Sequence, residues 1–169
     1  MITTERLHLR RPELQDFEAY SKMWSHPDVL RHISAEPFSE EMMWGRFLRQ
    51  AGGWQYLGFG YFIIEERDSS RFVGQIGFQD LHRDITPSLT GTMEAGWTLH
   101  PTVHGKGYAS EAASAMFHWA ERRFSGRRVT CIIAPENIRS LKIAAKMQMR
   151  EFARSTYRGK PVIMMERHL

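Results

Sequence analysis

The chain has 169 residues, 42% of them hydrophobic and 12% aromatic, which suits a single globular domain with its own core. Its 23 lysines and arginines outnumber 19 acidic residues, so the net charge is +4 and the isoelectric point lies near 9.5. This excess favours an anionic ligand without identifying one. One cysteine excludes an intrachain disulfide, and no apolar run approaches the ~18 residues of a membrane span. We therefore expect one soluble domain, residues 1–169, in the cytoplasm.

Alternating and helical patterns divide the start of the chain into a strand and two helices. The stretch ERLHLRR alternates leucines with polar residues, as a half-buried strand does. Pro12 then opens a helix with apolar residues at helical spacing, and this helix is predicted to break at 25–28. Ser39 is predicted to N-cap a second helix that ends at the glycine pair 52–53.

The middle of the chain predicts an antiparallel meander, and the second half predicts alternating strands and helices. The three strand-like segments are WQYLGFGYFIIEE, RFVGQIGFQDL and GTMEAGWTLH, with a hairpin turn at RDSS. After them come a long amphipathic helix, the strand RRVTCIIA, the helix NIRSLKIAAKMQM and a terminal hairpin. A strand–helix–strand unit implies a parallel pair within the sheet, so the fold class is mixed α/β. Cys131 falls inside the strand RRVTCIIA and is expected to be buried and inert.

A loop with two glycines leads into the long helix, in the stretch HPTVHGKGYASEA. Gly105 and Gly107 allow left-handed backbone and close approach to a ligand. The unpaired amides of a helix N-terminus carry roughly half a positive charge, which suits a phosphate or pyrophosphate. The Walker pattern is absent, and Ser110 stands where the dinucleotide fingerprint requires glycine. Either an anion site or a tight turn without a ligand is consistent with these residues alone.

Several motifs in one order indicate a family. The stretch EAGWTLHPTVHGKGYASEA, followed by APENIRSLKIAAKMQM, resembles the GNAT superfamily of N-acetyltransferases. The opening TTERLHLRRPELQD and the stretch HPDVLRHI resemble its ribosomal-protein N-acetyltransferase branch. The resemblance implies a splayed mixed sheet of about seven strands flanked by about four helices. It also implies acetyl-CoA between two parting parallel strands and acetyl transfer to an amine.

The resemblance also implies which residues bind acetyl-CoA. The pyrophosphate is expected on the amides of the loop, which are those of His104, Gly105, Lys106, Gly107, Tyr108 and Ala109. Backbone N–H groups around Trp97 to Leu99 are expected to receive the developing oxyanion, and Asn137 belongs to the Asn-x-x-Ser element. Lys106, Arg139 and Lys142 stand in or beside these elements, as CoA-phosphate partners or as solvated surface charges.

Three residues are candidates for the chemistry. An amine is mostly protonated at pH 7, so a base must take its proton, and Glu94 is the candidate because it alternates with the apolar residues of its strand. Alternatively, Glu94 faces solvent or pairs with an arginine. Many relatives have a tyrosine acid in the helix that here ends Ala144-Ala145-Lys146-Met147-Gln148-Met149. Ser140 inherits that proton-donor role, with Tyr157 as the substitute. Ser140 as an ordinary first-turn helix residue, and Tyr157 as an ordinary strand residue, remain open.

We expect no metal, because the spacing of His82, His100 and His104 does not form a convincing ligand set. The expected partners are acetyl-CoA and an amine acceptor, either a protein N-terminus or a small molecule. No membrane or stable nucleic-acid binding is expected, and the protein is expected to be a monomer or homodimer. Two other functions stay open. One is a catalytically silent acyl-CoA sensor, and the other is a nucleic-acid-binding module suggested by the basic stretch ERRFSGRR.

Overall fold

The computed structural model describes residues 1–31 and 36–169, which form one eight-stranded sheet and five α-helices. The strands are β1 (Ile2–Thr3), β2 (Leu7–Arg10), β3 (Tyr61–Glu66), β4 (Phe72–Gln79), β5 (Met93–Leu99), β6 (Arg128–Ile133), β7 (Arg150–Tyr157) and β8 (Lys160–His168). The helices are α1 (Phe17–Trp24), α2 (Pro27–Leu30), α3 (Glu40–Tyr56), α4 (Tyr108–Arg123) and α5 (Ile138–Lys146). No helix in these two segments is long and apolar enough to cross a membrane.

The sheet opens at one place. Its strand order is β1-β2-β3-β4-β5-β6-β8-β7, and within the described residues the one parallel pair is β5 with β6. That pair is in register at Met93↔Val129 and Glu94↔Thr130, although β5 continues to Leu99 and β6 to Ile133. The two strands therefore part toward their carboxyl ends and leave a gap in the sheet. The predicted mixed α/β class, the parallel pair and the splayed sheet are confirmed.

Helices cover both faces of the sheet. On one face, alternate residues of β5 join residues of α4 in a buried cluster that also includes Ala144 of α5. The β5 and α4 members are Met93, Ala95, Leu99, Ala112, Ala113, Met116, Phe117 and Ala120. On the other face, α1 and α3 form a second cluster around Tyr20 and Phe47, and Gln50 of α3 donates to Gln75 of β4 at 2.8 Å. Alternation along β5 therefore decides which helices each of its side chains meets.

Helix α3 is longer than its glycines suggest. The sequence predicts an end at 52–53 and a strand from Trp54, but α3 continues to Tyr56 and β3 begins at Tyr61. Trp54 is buried against the sheet, and its indole N–H donates to the carbonyl of Tyr61 at 2.9 Å. A Cβ on Gly53 would lie 3.0 Å from the Phe59 carbonyl oxygen. This glycine therefore permits close packing, and burial of the indole offsets its helix cost of about 1 kcal/mol.

The predicted break at 25–28 contains a further helical turn. His26 N-caps α2 by accepting from the Asp28 amide at 3.2 Å, and Pro27 occupies its first turn. This turn raises the helix count from the expected four to five in the described parts of the chain, and β1 raises the strand count from seven to eight. The last two residues of the stretch HPDVLRHI, His32 and Ile33, lie outside the described residues.

Candidate active site

A cleft of about 890 Å³ lies where β5 leaves β6, between the carboxyl end of β5, the loop before α4, and the start of α5. A cleft of this size falls in the range of small-molecule and cofactor sites. It is lined by most of the residues that the sequence predicts to bind acetyl-CoA. They are Trp97, Leu99, His104, Gly105, Gly107, Tyr108, Ala109, Asn137, Arg139 and Ser140.

The loop before α4 has the left-handed geometry that its glycines allow. Gly105 and Gly107 both have φ of +81°, a conformation that costs other residues roughly 1–2 kcal/mol. Gly107 is the N-cap of α4 and offers no side chain to the first amides of the helix. Because those amides have no acceptor within the helix, and because Tyr108, Ala109 and Ser110 line the cleft, they are available to an anion there.

His104 joins the loop to both sides of the cleft. Its Nε2 lies 3.0 Å from the carbonyl oxygen of Leu99, and its Nδ1 lies 3.4 Å from the guanidinium of Arg139 in α5. A carbonyl accepts and a guanidinium donates, so Nε2 carries the hydrogen and Nδ1 accepts. His104 thus connects the loop to the end of β5 and to Arg139, whose positive charge lies at the cleft.

Ser140 is held on the α5 side of the gap. Asn137 caps α5 by accepting from the Ser140 amide at 3.1 Å. The indole N–H of Trp97 crosses from β5 and donates to the Ser140 hydroxyl oxygen at 3.1 Å. Since the oxygen accepts from the indole, the hydroxyl proton remains free to be donated into the cleft. The structure therefore brings Trp97, Asn137 and Ser140 together.

Glu94 and Tyr157 lie on the other face of the sheet and do not line the cleft. Both carboxylate oxygens of Glu94 accept from Nε of Arg83 at 2.8 Å, and the Glu94 side chain is 8% exposed. The same guanidinium stacks over the Tyr157 ring, 4.7 Å from its centroid. Arg83 therefore contacts both Glu94 and Tyr157, which the sequence predicts to have separate roles. Of the alternatives left open for Glu94, the pairing with an arginine is present in the structure.

Two predicted phosphate partners stand apart from the cleft lining. Lys106 and Lys142 are both exposed, and the Lys106 ammonium lies 5.9 Å from the centroid of the Tyr108 ring. Across the described segments, no cluster of three or more histidine, cysteine or acidic side chains could hold a metal ion.

Several residues near the parting of the strands were not predicted from the sequence. Asp28, Val29 and Arg31 of the α2 region line the cleft, and the stretch HPDVLRHI, which resembles the ribosomal-protein branch, was the available signal for them.

Tyr61 could not be identified from the sequence, because its position follows from strand register. It pairs with Gly77, which pairs with Gly96, and its hydroxyl fills the space where a Gly96 side chain would stand. Burial raises the pKa of the Tyr61 hydroxyl, and the Glu94 carboxylate raises it further.

Comparison with known proteins identifies acetyltransferases as similar to this chain. The family profile described as "Acetyltransferase (GNAT) domain" matches residues 6–150. YnaD, an uncharacterized N-acetyltransferase of Bacillus subtilis (strain 168), is 31% identical over 149 residues, which cover 88% of this chain and 82% of that protein. A structure described as a GNAT-family acetyltransferase from Bordetella pertussis is 25% identical with a TM-score of 0.87, covering 98% of both chains.

A more distant solved structure shares the fold alone. It is a ribosomal L7/L12 alpha-N-protein acetyltransferase in complex with coenzyme A, 16% identical with a TM-score of 0.75. The match covers 98% of this chain and 96% of that one. The fold and the cleft define an acyltransferase of the splayed-sheet type. The chain belongs to the GNAT acetyltransferase family.

Proposed function

We propose that the protein transfers an acetyl group from acetyl-CoA to a primary amine by direct attack within a ternary complex. The observation that carries this proposal is the cleft at the β5–β6 gap, with left-handed glycines and unpaired helix amides on one side and Ser140 on the other. Family membership supports the acyl-transfer class. The amine would be a protein N-terminal α-amine, as the resemblance to the ribosomal-protein branch suggests, or a small-molecule amine.

The residues of the cleft suit acetyl-CoA. The amides from His104 to Ala109 would receive the pyrophosphate, because the left-handed glycines let the backbone approach and α4 adds its dipole. Arg139, fixed by His104, would add a positive charge at the same end. The gap between β5 and β6 would take the thioester arm. Bound there, acetyl-CoA supplies an activated acyl group with a thiolate leaving group.

Each catalytic candidate has a separate task. The backbone of β5 from Trp97 to Leu99 would donate to the thioester oxygen as negative charge develops there. The Ser140 hydroxyl would donate to the sulfur as it leaves, held in orientation by the Trp97 indole. Glu94 would accept the amine proton, directly or through water, using carboxylate lone pairs that Arg83 does not occupy.

The acceptor would approach from the face of the sheet that carries α1 and α3. The other face is covered by α4 and α5, which form the cleft walls. Glu94, Tyr61 and Arg83 lie on the α1–α3 side of the sheet, next to the parting of β5 and β6. A nucleophile from that side would meet an acyl group held from the opposite side.

The test is release of free CoA thiol from acetyl-CoA across a panel of amines. The panel contains peptides with free N-termini, polyamines, aminoglycosides and amino acids, with N-terminally blocked peptides as matched controls. We expect thiol release that requires both the protein and a free amine, together with a product that is heavier by one acetyl group in mass spectrometry.

Two results would contradict the proposal. Saturable acetyl-CoA binding without thiol release for any amine would indicate an acyl-CoA sensor instead. Absence of CoA binding, combined with filter binding of nucleic acid that falls steeply with salt, would indicate a nucleic-acid module.

A further inference from the structure

A second set of contacts reaches the glycine loop from behind, away from the cleft. They come from the N-terminal segment that contains Thr4 and Arg6. The Arg6 guanidinium donates to the Lys106 carbonyl at 2.9 Å and stacks over the Tyr108 ring, 4.7 Å from its centroid. It also donates from Nε to Glu111 Oε2 at 2.7 Å. One side chain thus touches the loop, the first residue of α4 and the first turn of that helix.

The Glu111 carboxylate is closely surrounded by donors. Its Oε1 accepts from the Thr4 hydroxyl at 2.6 Å and from the Arg6 amide at 3.0 Å, while its Oε2 pairs with the Arg6 guanidinium at 2.6 Å. Burial acts to raise the pKa of Glu111, but hydrogen bonds from Thr4 and Arg6 outweigh it and lower the pKa below its usual value. The carboxylate is therefore charged, and Arg6 neutralises it.

These contacts matter for an anion bound at the loop. In a trans peptide the carbonyl and the next amide point in opposite directions, so holding the Lys106 carbonyl toward Arg6 directs the Gly107 amide away from it. Gly107 lines the cleft. An acidic residue in the first turn stabilises a helix but repels an anion bound at the same terminus. Arg6 would remove that repulsion while it fixes the peptide plane.

We propose that Arg6 is a positioning residue that holds the 104–109 loop in its anion-receiving conformation and neutralises Glu111 beside the bound pyrophosphate. This inference rests on the proposed acetyl-CoA site. Arg6 acts through the loop backbone and Glu111, and the Thr4 hydroxyl also donates to Glu111. We call Thr4, Arg6 and Glu111 the brace. The brace explains a role for the TTER segment, which lies far from the loop in sequence and contacts it in the fold.

The test compares acetyl-CoA with S-acetylpantetheine, a donor that lacks the pyrophosphate. In Arg6→Met we expect the Kd of CoA in calorimetry to rise roughly ten- to hundredfold, the range of a lost charge-assisted hydrogen bond. The kcat measured with acetyl-CoA should stay within about threefold of the wild-type value, while the KM for acetyl-CoA rises. kcat/KM for S-acetylpantetheine should be unchanged. The double variant R6M/E111Q should recover part of the CoA affinity, because the repelling carboxylate is gone.

Arg128 provides a matched control. It pairs with Glu166 at 2.7 Å and stacks over Phe152 at 4.8 Å, close to the geometry of Arg6, but these contacts involve neither the 104–109 loop nor α4. Arg128→Met should leave both donors unaffected. Partial unfolding of the Arg6→Met protein would lower kcat/KM for both donors by the same factor. The ratio of the two kcat/KM values therefore reports only the effect of Arg6 on the loop. An unchanged ratio in Arg6→Met would overturn the inference, whereas absence of CoA binding by the wild-type protein would overturn the proposed function itself.

Discussion

The proton-donor role that we propose for Ser140 depends on how its hydroxyl is held. Its oxygen accepts from the Trp97 indole, its amide donates to Asn137, and both partners come from elements that line the cleft. The helix that carries it lacks the tyrosine that many relatives use, having Ala144 and Ala145 there instead. A serine fixed by an indole is a smaller donor, and water can replace part of its effect.

We expect Ser140→Ala to lower kcat and kcat/KM by similar factors, on the order of 10²-fold, with acetyl-CoA affinity nearly intact. The hydroxyl would act only as charge develops on sulfur, so ground-state binding would not depend on it. Trp97→Phe, which keeps an aromatic ring but removes the indole donor, should cause a smaller loss. Steady-state kinetics of both variants and of the double variant measure the coupling between them.

Tyr157→Phe serves as the comparison for that series. Its ring would remain stacked beneath Arg83, so only the hydroxyl is lost. A large fall in kcat for Tyr157→Phe, with Ser140→Ala unimpaired, would transfer the acid role to the tyrosine. A lower melting temperature with normal turnover in Ser140→Ala would show that the serine only supports α5.

Among the elements of the fold, the junction of the glycine loop with α4 is where we propose that the pyrophosphate binds. The helix begins at a left-handed glycine, which exposes its first amides instead of capping them with a side chain. The loop contacts the Leu99 carbonyl through the His104 side chain, and the Arg6 guanidinium through the Lys106 carbonyl. The junction therefore has a defined backbone conformation before any ligand arrives, which lowers the entropy cost of binding.

Gly107→Ala should weaken CoA binding beyond its effect on stability. The residue has φ of +81°, and a Cβ there would lie 3.4 Å from a guanidinium nitrogen of Arg6. A strained left-handed alanine costs roughly 1–2 kcal/mol of unfolding free energy, and its relaxation would turn the amides away from the cleft. Calorimetry with CoA and thermal unfolding measure the two effects separately.

Gly126 supplies the matched control for this substitution. It has φ of +78°, and a Cβ there would meet nothing within 4 Å. Gly126→Ala should lose a similar amount of stability and bind CoA as the wild type does. Equal CoA affinity in Gly107→Ala and Gly126→Ala would show that the loop is not the pyrophosphate site.

At the scale of the whole molecule, the parting of β5 and β6 places two sets of groups on opposite faces of one sheet. The cleft with Trp97 and Ser140 lies on the α4–α5 side, and the Glu94–Arg83 pair lies on the other. Alternation along β5 produces this division, since neighbouring residues of a strand point to opposite faces. In the ternary complex that we propose, donor and acceptor would approach the same gap without competing for space.

Glu94→Gln should lower turnover most near neutral pH and recover partly at high pH. The amine is mostly protonated at neutral pH and needs a base, whereas at high pH it loses its proton unaided. A pH profile of kcat/KM with a fixed amine measures this, with thermal unfolding in parallel because Arg83 loses its charged partner. An equal loss of turnover at every pH would show that Glu94 only balances the charge of the half-buried Arg83.

Local sequence was sufficient for much of the fold and part of the site. The Ser39 cap, the alternation of β5, the meander and the parallel pair were all predicted, because each depends on residues close in the chain. The glycine loop could be identified for the same reason. The predicted end of α3 was wrong, because burial of Trp54 against β3 outweighed the low helix propensity of the glycine pair 52–53.

The fold class, the family and the glycine loop could be predicted from the amino-acid sequence, because short-range patterns and a fixed order of motifs carry that information. Which side chains contact one another across the molecule depends on the tertiary structure. Trp97 meets Ser140 across 43 residues, and Arg6 meets Glu111 across 105. Arg83 and Glu94, 11 residues apart, meet across the loop between β4 and β5. Such pairs depend on strand register and helix packing, which are set by the sum of many weak contacts and by no single motif.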